Sequence, residues 1–400
     1  GETTPTRRER KRERERMKRS ISDYLDVTRD VLFQRWWCRK VPRIDRIGDT
    51  SVEGLNVVVT GCTSGIGKAA AVEFAKRRCN LILACRNPTR GNALKKDLEE
   101  KQRSSGGDGA KKGGSIEVMH LDLADLDSVA AFANAFNAKG TRLDILVNNA
   151  GVFAMSAPRS LCFNDRYELH LLTNYLSCAL LTLLLLPSLL REPGKGKGAE
   201  GGPPKAKVIM VNSKLHQMCT GFNFENPNFD GKGTYNSKKA YAQSKLAQIL
   251  FTNHLRAKLV SHFETREKKG SSVGGSAGAP IDLLVLHPGN VTTDVVRTLP
   301  WAVRKAYGFF MPLFLLSPEE GARSTLFTAT ESEAAGAKGE LPGTSERHYY
   351  FNSNCEPVLP SEESRDVAQA EKIWRWTLDQ LRDPYLDGVT DKQLKALTAA

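Results

Sequence analysis

Apolar residues in this 400-residue chain fall into short runs separated by stretches with helical spacing. LNVVVT at 55–60, NLILAC at 80–85, IEVMHL at 116–121 and LDILVN at 143–148 each read as a strand. KVIMVN at 207–212, IDLLVLH at 281–287 and HYYF at 348–351 continue the series. Most of these runs lack polar alternation, the pattern of strands covered on both faces. Segments such as 67–78 and 126–137 carry helical periodicity between them. Strands alternating with helices predict an α/β fold with a parallel sheet wound on both sides.

The expected architecture is a single Rossmann-type doubly wound domain with a seven-stranded parallel sheet, over residues 51–385. Residues 1–50 form a basic N-terminal extension, partly helical or flexible. Residues 386–400 form a C-terminal tail, and a substrate lid is expected around 294–320. Gly-rich stretches at 104–114, 194–205, 269–280 and 334–343 read as flexible insertions. The first three directly precede a predicted strand. Ligands of open α/β sheets sit beyond the carboxyl ends of strands, so these insertions fall on the opposite edge. The leucine-rich run 171–190 contains Thr173, Asn174, Ser177 and Pro187, and reads as a buried core helix rather than a membrane span. GFFMPLFLL at 308–316 is too short to cross a bilayer.

The net charge of +13 is concentrated near the start: the first twenty residues hold nine Lys/Arg against four Glu. Such a run is a solvated arm or a contact for anionic lipid. It lacks interleaved aromatic residues, and no nucleic-acid-binding motif accompanies it. It is too acidic for an ordinary transit peptide, and no early apolar stretch suits a signal peptide. The eight cysteines show neither metal spacing nor a pairing pattern. Cys62, Cys79, Cys85 and Cys178 sit in apolar or small-residue runs, as buried thiols do in a reducing compartment. The expected location is intracellular, in the cytoplasm or on the cytosolic face of an organelle membrane.

LNVVVTGCTSGIGKAA has the order strand, glycine turn, helix, with Gly61, Gly65 and Gly67 spaced G-x-x-x-G-x-G. Glycines let backbone approach a pyrophosphate, and the helix N-terminus offers unpaired N–H groups and a positive dipole end. The next strand ends at Arg86, where an acidic residue would favour NAD through the adenosine ribose. A guanidinium suits a 2′-phosphate, so NADP is expected, with NAD as the alternative. Asp122, after the third strand, is placed for the adenine amino group or to cap the following helix.

Two tyrosines each precede a lysine by four residues: Tyr235 and Lys239, Tyr241 and Lys245. Spacing i, i+4 puts both groups on one helix face, and an adjacent ammonium favours a phenolate. Apolar periodicity through Ala240, Leu246, Ala247, Leu250 and Phe251 puts Tyr241 inside a long helix, with Tyr235 in the loop before it.

TGCTSGIG at 60–67, NNAG at 148–151, Asn174, Ser213, a Tyr-x-x-x-Lys pair and Pro288–Gly289 follow one another in a known order. That order resembles the short-chain dehydrogenase/reductase family over roughly residues 52–385. NNAGVFAM, LLLLPSLLRE, SPEEGARSTLFTAT and PSEE make the chain similar to the retinol-dehydrogenase-like branch and to plant FOREVER YOUNG-type members. The family pattern selects Tyr241 and Lys245, since Ser244 precedes the lysine and Leu246 and Ala247 follow it. The resemblance implies that Tyr241 exchanges a proton with substrate, Ser213 holds the same oxygen, and Asn174 orders a water relaying protons to Lys245. It implies that Asn148 braces the sheet centre and the helix of Asn174. Dinucleotide contacts are implied for Thr60, Gly61, Thr63, Ser64, Gly65, Ile66, Gly67, Arg86, Asp122, Leu123, Asn149, Ala150 and Gly151. Tyr241, Lys245, Pro288, Gly289, Val291 and Thr293 complete that set, and no metal is implied. His216, close after Ser213, is a competing base, but Tyr–Lys already supplies that function. The long loop between Ser213 and Tyr241 leaves the shape of the substrate pocket open.

The expected activity is NAD(P)-dependent interconversion of a lipophilic alcohol and its aldehyde or ketone. The alternative is a non-catalytic assembly or binding module that keeps the dinucleotide-binding fold, although the complete catalytic set argues against it. Expected partners are a lipophilic small molecule and a peripheral membrane surface met through the extension and lid. Phe33, Trp36 and Trp37 beside Arg35, Arg39 and Lys40 suit such an interface. A homodimer or a larger complex is also expected, and no nucleic acid.

Overall fold

A computed structural model of the protein describes residues 32–48, 50–104, 114–154, 157–191, 205–268, 280–292, 313–331 and 349–386, together with Arg29. The first part of the basic arm, Thr293, most of the lid and of the four Gly-rich insertions, His348 and residues 387–400 lie outside these.

The apolar runs pair as one seven-stranded sheet, β3-β2-β1-β4-β7-β8-β9, with every pairing parallel. Its strands are β1 (Asn56–Thr60), β2 (Asn80–Cys85), β3 (Ile116–His120), β4 (Ile145–Asn148), β7 (Ala206–Val211), β8 (Ile281–Leu286) and β9 (Tyr350–Phe351). The strand order reverses between β1 and β4, which opens a crevice at their carboxyl ends. β3, β7 and β8 each begin just after a Gly-rich stretch, so those stretches join the sheet at its amino edge.

Helices cover both faces. α1 (Gly65–Lys76), α2 (Pro88–Ser104) and α6 (Pro318–Thr330) lie against one core cluster, which includes Val57, Val59, Leu81 and Leu83. The opposite cluster takes α3 (Leu126–Ala138), α4 (Ser177–Leu189), α5 (Ser237–Lys268) and α7 (Val367–Leu381). Alternate residues of β1 thus enter different cores, Val58 facing one cluster and Val57 and Val59 the other. The run Leu171–Leu189 is long and apolar enough to cross a membrane, but 94% of it is buried inside the fold. It is the core helix its Thr, Asn and Ser residues predicted. Its first turn, Leu171–Leu176, is π-helical and carries Asn174.

One element was not expected, and one segment packs more closely than its reading as an extension suggested. A two-stranded antiparallel hairpin, β5 (Leu161–Cys162) and β6 (Tyr167–Glu168), stands beside the sheet's carboxyl edge. Its strands are too short for a period-2 signal. Residues 32–48 are an ordered part of the fold: 32–37 are helical, and Gln34, Cys38 and Ile47 are buried.

Candidate active site

β1 ends at Thr60 and the chain turns through Gly61, with φ +65°, and Gly65, with φ +53°. A side chain at Gly61 would meet Ala150 backbone at 2.9 Å, and one at Gly67 would meet the Gly61 carbonyl oxygen at 2.5 Å. Glycine is therefore required by both dihedral and space. Thr60 ties this turn to the segment after β4. Its Oγ1 accepts from the N–H groups of Asn149 (3.0 Å) and Ala150 (2.9 Å). Asn149 Nδ2 donates to the Thr60 carbonyl at 2.9 Å. Ser64 occupies the N-cap of α1 but makes no side-chain cap bond. The first N–H groups of α1 thus face the crevice without the usual protein acceptor, a cradle that fits a pyrophosphate.

Arg86 is exposed where β2 ends, and a second guanidinium that sequence reasoning missed joins it. Arg90, in the first turn of α2, donates from Nη2 to the Thr63 carbonyl at 3.3 Å. Its signal was the i, i+4 spacing from Arg86 at a helix start. Asp122 accepts from the Ala124 N–H at 2.9 Å, while the N-cap of α3 is Asp125. Asp122 therefore shapes the turn and does not cap the helix. Beneath the glycine turn, Cys62 and Cys85 are buried, their thiols donating to the Ala84 and Asn87 carbonyls respectively.

Asn236 Oδ1 accepts from the N–H groups of Lys238 and Lys239, closing the first turn of α5. Tyr235 consequently lies before the helix, and Tyr241 and Lys245 lie within it one turn apart. The Ser213 side chain lies near enough to the Tyr241 hydroxyl to favour its phenolate. Lys245 Nζ lies 5.9 Å from the Tyr241 ring centroid and donates to Val211 O (3.0 Å) and Gln248 Oε1 (3.1 Å). A side chain at Gly151 would meet Asn174 Oδ1 at 3.2 Å and Lys245 Nζ at 3.6 Å. Ser213, Tyr241, Lys245, Asn174 and Gly151 thus converge.

Their electrostatics differ from the expectation that Lys245 acidifies Tyr241. Burial pushes the Tyr241 phenol up to about 12, opposed by the Ser213 side chain. Burial likewise brings the Lys245 ammonium down to about 8. Desolvation disfavours both charged forms more than their proximity favours them.

Asn174 is held by protein groups on several sides. Its side chain accepts from Val152 N–H (2.7 Å) and donates to Val152 O (3.0 Å) and Ser244 Oγ (3.1 Å). Its backbone carbonyl accepts from Gln248 Nε2 at 2.6 Å. Gln248, buried and also accepting from Asn212 Nδ2, links the Asn174 carbonyl to the Lys245 ammonium. A glutamine one turn after the lysine carried no signal in the sequence reading. Asn148 does brace the helical layer, donating to Thr182 Oγ1 of α4 at 3.0 Å.

Tyr235 is half-buried in that loop. Its hydroxyl donates to Glu168 Oε1 at 3.2 Å, and this buried carboxylate pairs with His170 Nδ1 at 2.7 Å. The His170 ring meets the Tyr241 ring edge-on at 6.0 Å, and Phe153 lies 4.4 Å from it on centroids. The second tyrosine therefore belongs to the scaffold that fixes the first. His216 is no base: Nδ1 lies 2.7 Å from the Ser213 carbonyl and Nε2 accepts from the Ser361 N–H. Burial holds its imidazole neutral, down to about 4.

After β8, Gly289 takes φ +80°, and a side chain there would meet Leu316 at 2.9 Å. Val291 pairs with Leu316 and packs against Ile66 and Gly321, joining this loop to the glycine turn. A cavity of about 260 Å³ opens beside Ser213, with Lys214, His287, Asn290, Tyr350 and Leu359 among its walls.

The short chain dehydrogenase family model matches residues 55–215. The Arabidopsis thaliana dehydrogenase/reductase SDR family member FEY is 36% identical, over 92% of this chain and 88% of its own length. Human retinol dehydrogenase 14 is 30% identical, over 84% of this chain and 89% of its own length. Mouse polyprenol dehydrogenase is 32% identical, over 80% and 82%. A crystal structure of an uncharacterized protein from Mycobacterium Paratuberculosis superposes with a TM-score of 0.57 at 25% identity, covering 86% of this chain and 99% of that one.

Proposed function

The chain belongs to the short-chain dehydrogenase/reductase family and is an oxidoreductase, and from that premise we propose that it interconverts a lipophilic carbonyl compound and its alcohol, with Tyr241 as acid and base. The observation that carries this reading is that Ser213 and Lys245 both flank Tyr241, with Lys245 also beside Gly151. A tyrosine held protonated at neutral pH is in the form that donates to a carbonyl oxygen during reduction. Ser213 holds that oxygen through its hydroxyl. Lys245 stabilises the tyrosinate that remains after donation. In the reverse direction the same phenolate takes the alcohol proton. A bound nicotinamide dinucleotide supplies or accepts the hydride. The glycine turn and open α1 N-terminus would hold its pyrophosphate, and Arg86 and Arg90 favour the 2′-phosphate of NADP.

The lipophilic substrate class is supported by the retinol and polyprenol dehydrogenases among the relatives. The walls of the cavity beside Ser213 are largely polar and add nothing to that choice. Contact with a bilayer is part of the same reading, supported by exposed aromatic residues in the N-terminal helix.

NADPH oxidation with a panel of lipophilic aldehydes, comparing wild type with Tyr241→Phe, tests the proposal. The expected result is a loss of kcat/KM of roughly 10²–10⁴-fold with NADPH binding retained, the range for a removed acid–base group. Equal turnover by both proteins would overturn it.

A further inference from the structure

Gln34 lies 256 residues before the loop that follows β8, yet its side chain is bonded into it. Its Oε1 accepts from the Asn290 N–H at 2.8 Å, and its Nε2 donates to the Asn290 carbonyl at 2.8 Å and the Phe314 carbonyl at 3.0 Å. Both of its N–H bonds and an oxygen lone pair are therefore engaged, and only 3% of the residue is exposed. The amide thus acts as an extra peptide unit beside a backbone segment that Leu316 pairs on its own account: Leu316 N–H donates to the Asn290 carbonyl, and Thr292 N–H to the Leu316 carbonyl, both at 2.9 Å. A side chain on Gly289 would come within 3.1 Å of Gln34 Oε1, so the fit is close.

Neighbouring contacts hold Gln34 in register. Arg35 Nη1 donates to the Leu315 carbonyl at 2.9 Å, Arg323 Nη1 to the Val41 carbonyl at 3.2 Å, and the Cys38 thiol to Asn354 Oδ1 at 2.9 Å. The N-terminal segment is thereby fastened to the start of α6 and to the loop after β9.

We propose that Gln34 is a positioning residue of the dinucleotide site, setting the Pro288–Val291 backbone that receives the nicotinamide half. The inference rests on the dinucleotide reading given above. The adenosine half meets a different part of the molecule, around Arg86 and Arg90, to which Gln34 has no bond. Gln34 therefore acts on one end of the ligand, whereas a general loss of folding acts on both.

The test is binding of NADPH and of 2′,5′-ADP, an adenosine-end probe, by the full chain carrying Gln34→Leu or Gln34→Glu. The leucine removes all three bonds. The glutamate keeps an acceptor for the Asn290 N–H but sets a carboxylate against two carbonyl oxygens. Each variant is measured below its own melting temperature, so that whichever folds better decides. The expected result is NADPH affinity weakened by about tenfold or more, with 2′,5′-ADP affinity unchanged within about twofold. NADPH affinity equal to wild type, or equal losses for both probes, would overturn the proposal. A wild-type protein that binds neither probe would overturn the dinucleotide reading itself and this inference with it.

Discussion

At the scale of single residues, the site is governed by desolvation. Lys245 falls to about 8 and Tyr241 rises to about 12, each because burial disfavours its charged form. The sign for carbonyl reduction follows from which form each step needs. Tyr241 stays protonated throughout the neutral range and does not limit proton donation. The Lys245 cation, which steadies the new tyrosinate, is lost as pH rises through about 8. The groups near it are the Cys178 thiol, itself pushed up to about 11, the Tyr241 phenol, and the neutral amide of Gln248. Reduction is therefore expected to hold level below pH 8 and fall above it, with the profile of kcat/KM as the check. Gln248→Glu sets a carboxylate on the ammonium and should move that break upward. A break unmoved by this change would mean that Lys245 is not the group titrating. Tyr241, Lys245 and Ser213 were legible in the sequence, because a motif fixes residue types at fixed spacing. Gln34 and Gln248 were not, because what singles them out is a partner distant in the chain, and Arg90 offered only its spacing from Arg86. The electrostatics were misread for a related reason: spacing reports proximity, whereas burial is a property of the whole surround.

At the scale of elements, six of the seven sheet strands were legible almost to the residue, since doubly covered parallel strands are continuous apolar runs. The seventh, β9, was read as HYYF at 348–351, and only Tyr350–Phe351 of that run pairs at the sheet edge. The β5–β6 hairpin was missed because two-residue strands leave no period to read. The close approach of α6 to the crevice was not legible either. A capping box sets its start, with Ser317 accepting from the Glu320 N–H at 3.1 Å and Glu320 accepting from the Ser317 N–H at 2.7 Å. One turn in, Gly321 lets Val291 and Ile66 meet: a methyl there would lie 2.5 Å from Val291 Cγ2 and 3.2 Å from Ile66 Cγ1. The φ of this glycine is helical, so only space forbids a side chain. Gly321→Ala gains helix propensity but must push α6 off the loop after β8 and off the glycine turn. Overpacking of this kind costs about 1–3 kcal/mol. A lower melting temperature together with weaker NADPH binding is expected, read by thermal unfolding and titration. A more stable variant with unchanged binding would show that α6 does not press on the site.

At the scale of the whole molecule, the N-terminal helical segment has two unlike sides. Gln34 and Cys38, one turn apart, point into the fold. Phe33 and Trp36 share the outward side at 52% and 70% exposure, with Leu32 and Trp37 beside them at 50% and 41%. Leu313, just before the Gln34-bonded Phe314 carbonyl, is 66% exposed. Exposed aromatic and aliphatic residues gathered near basic ones fit the boundary between headgroups and acyl chains. Arg39 lies over the Trp36 ring and Arg29 over the Trp37 ring, each within 5.8 Å of the centroid, so positive charge accompanies the apolar side. An anionic bilayer satisfies both features at once, and a substrate drawn from that bilayer would arrive next to the nicotinamide loop. Phe33→Ser combined with Trp36→Ser removes outward apolar area without touching Gln34 or the residues around Tyr241. Flotation on phosphatidylserine-containing vesicles is expected to fall on the order of tenfold, while turnover of a short water-soluble aldehyde stays at the wild-type rate. Wild-type protein that ignores such vesicles, or a double variant that floats as well as wild type, would remove the membrane from this reading and leave the chemistry at Tyr241 standing.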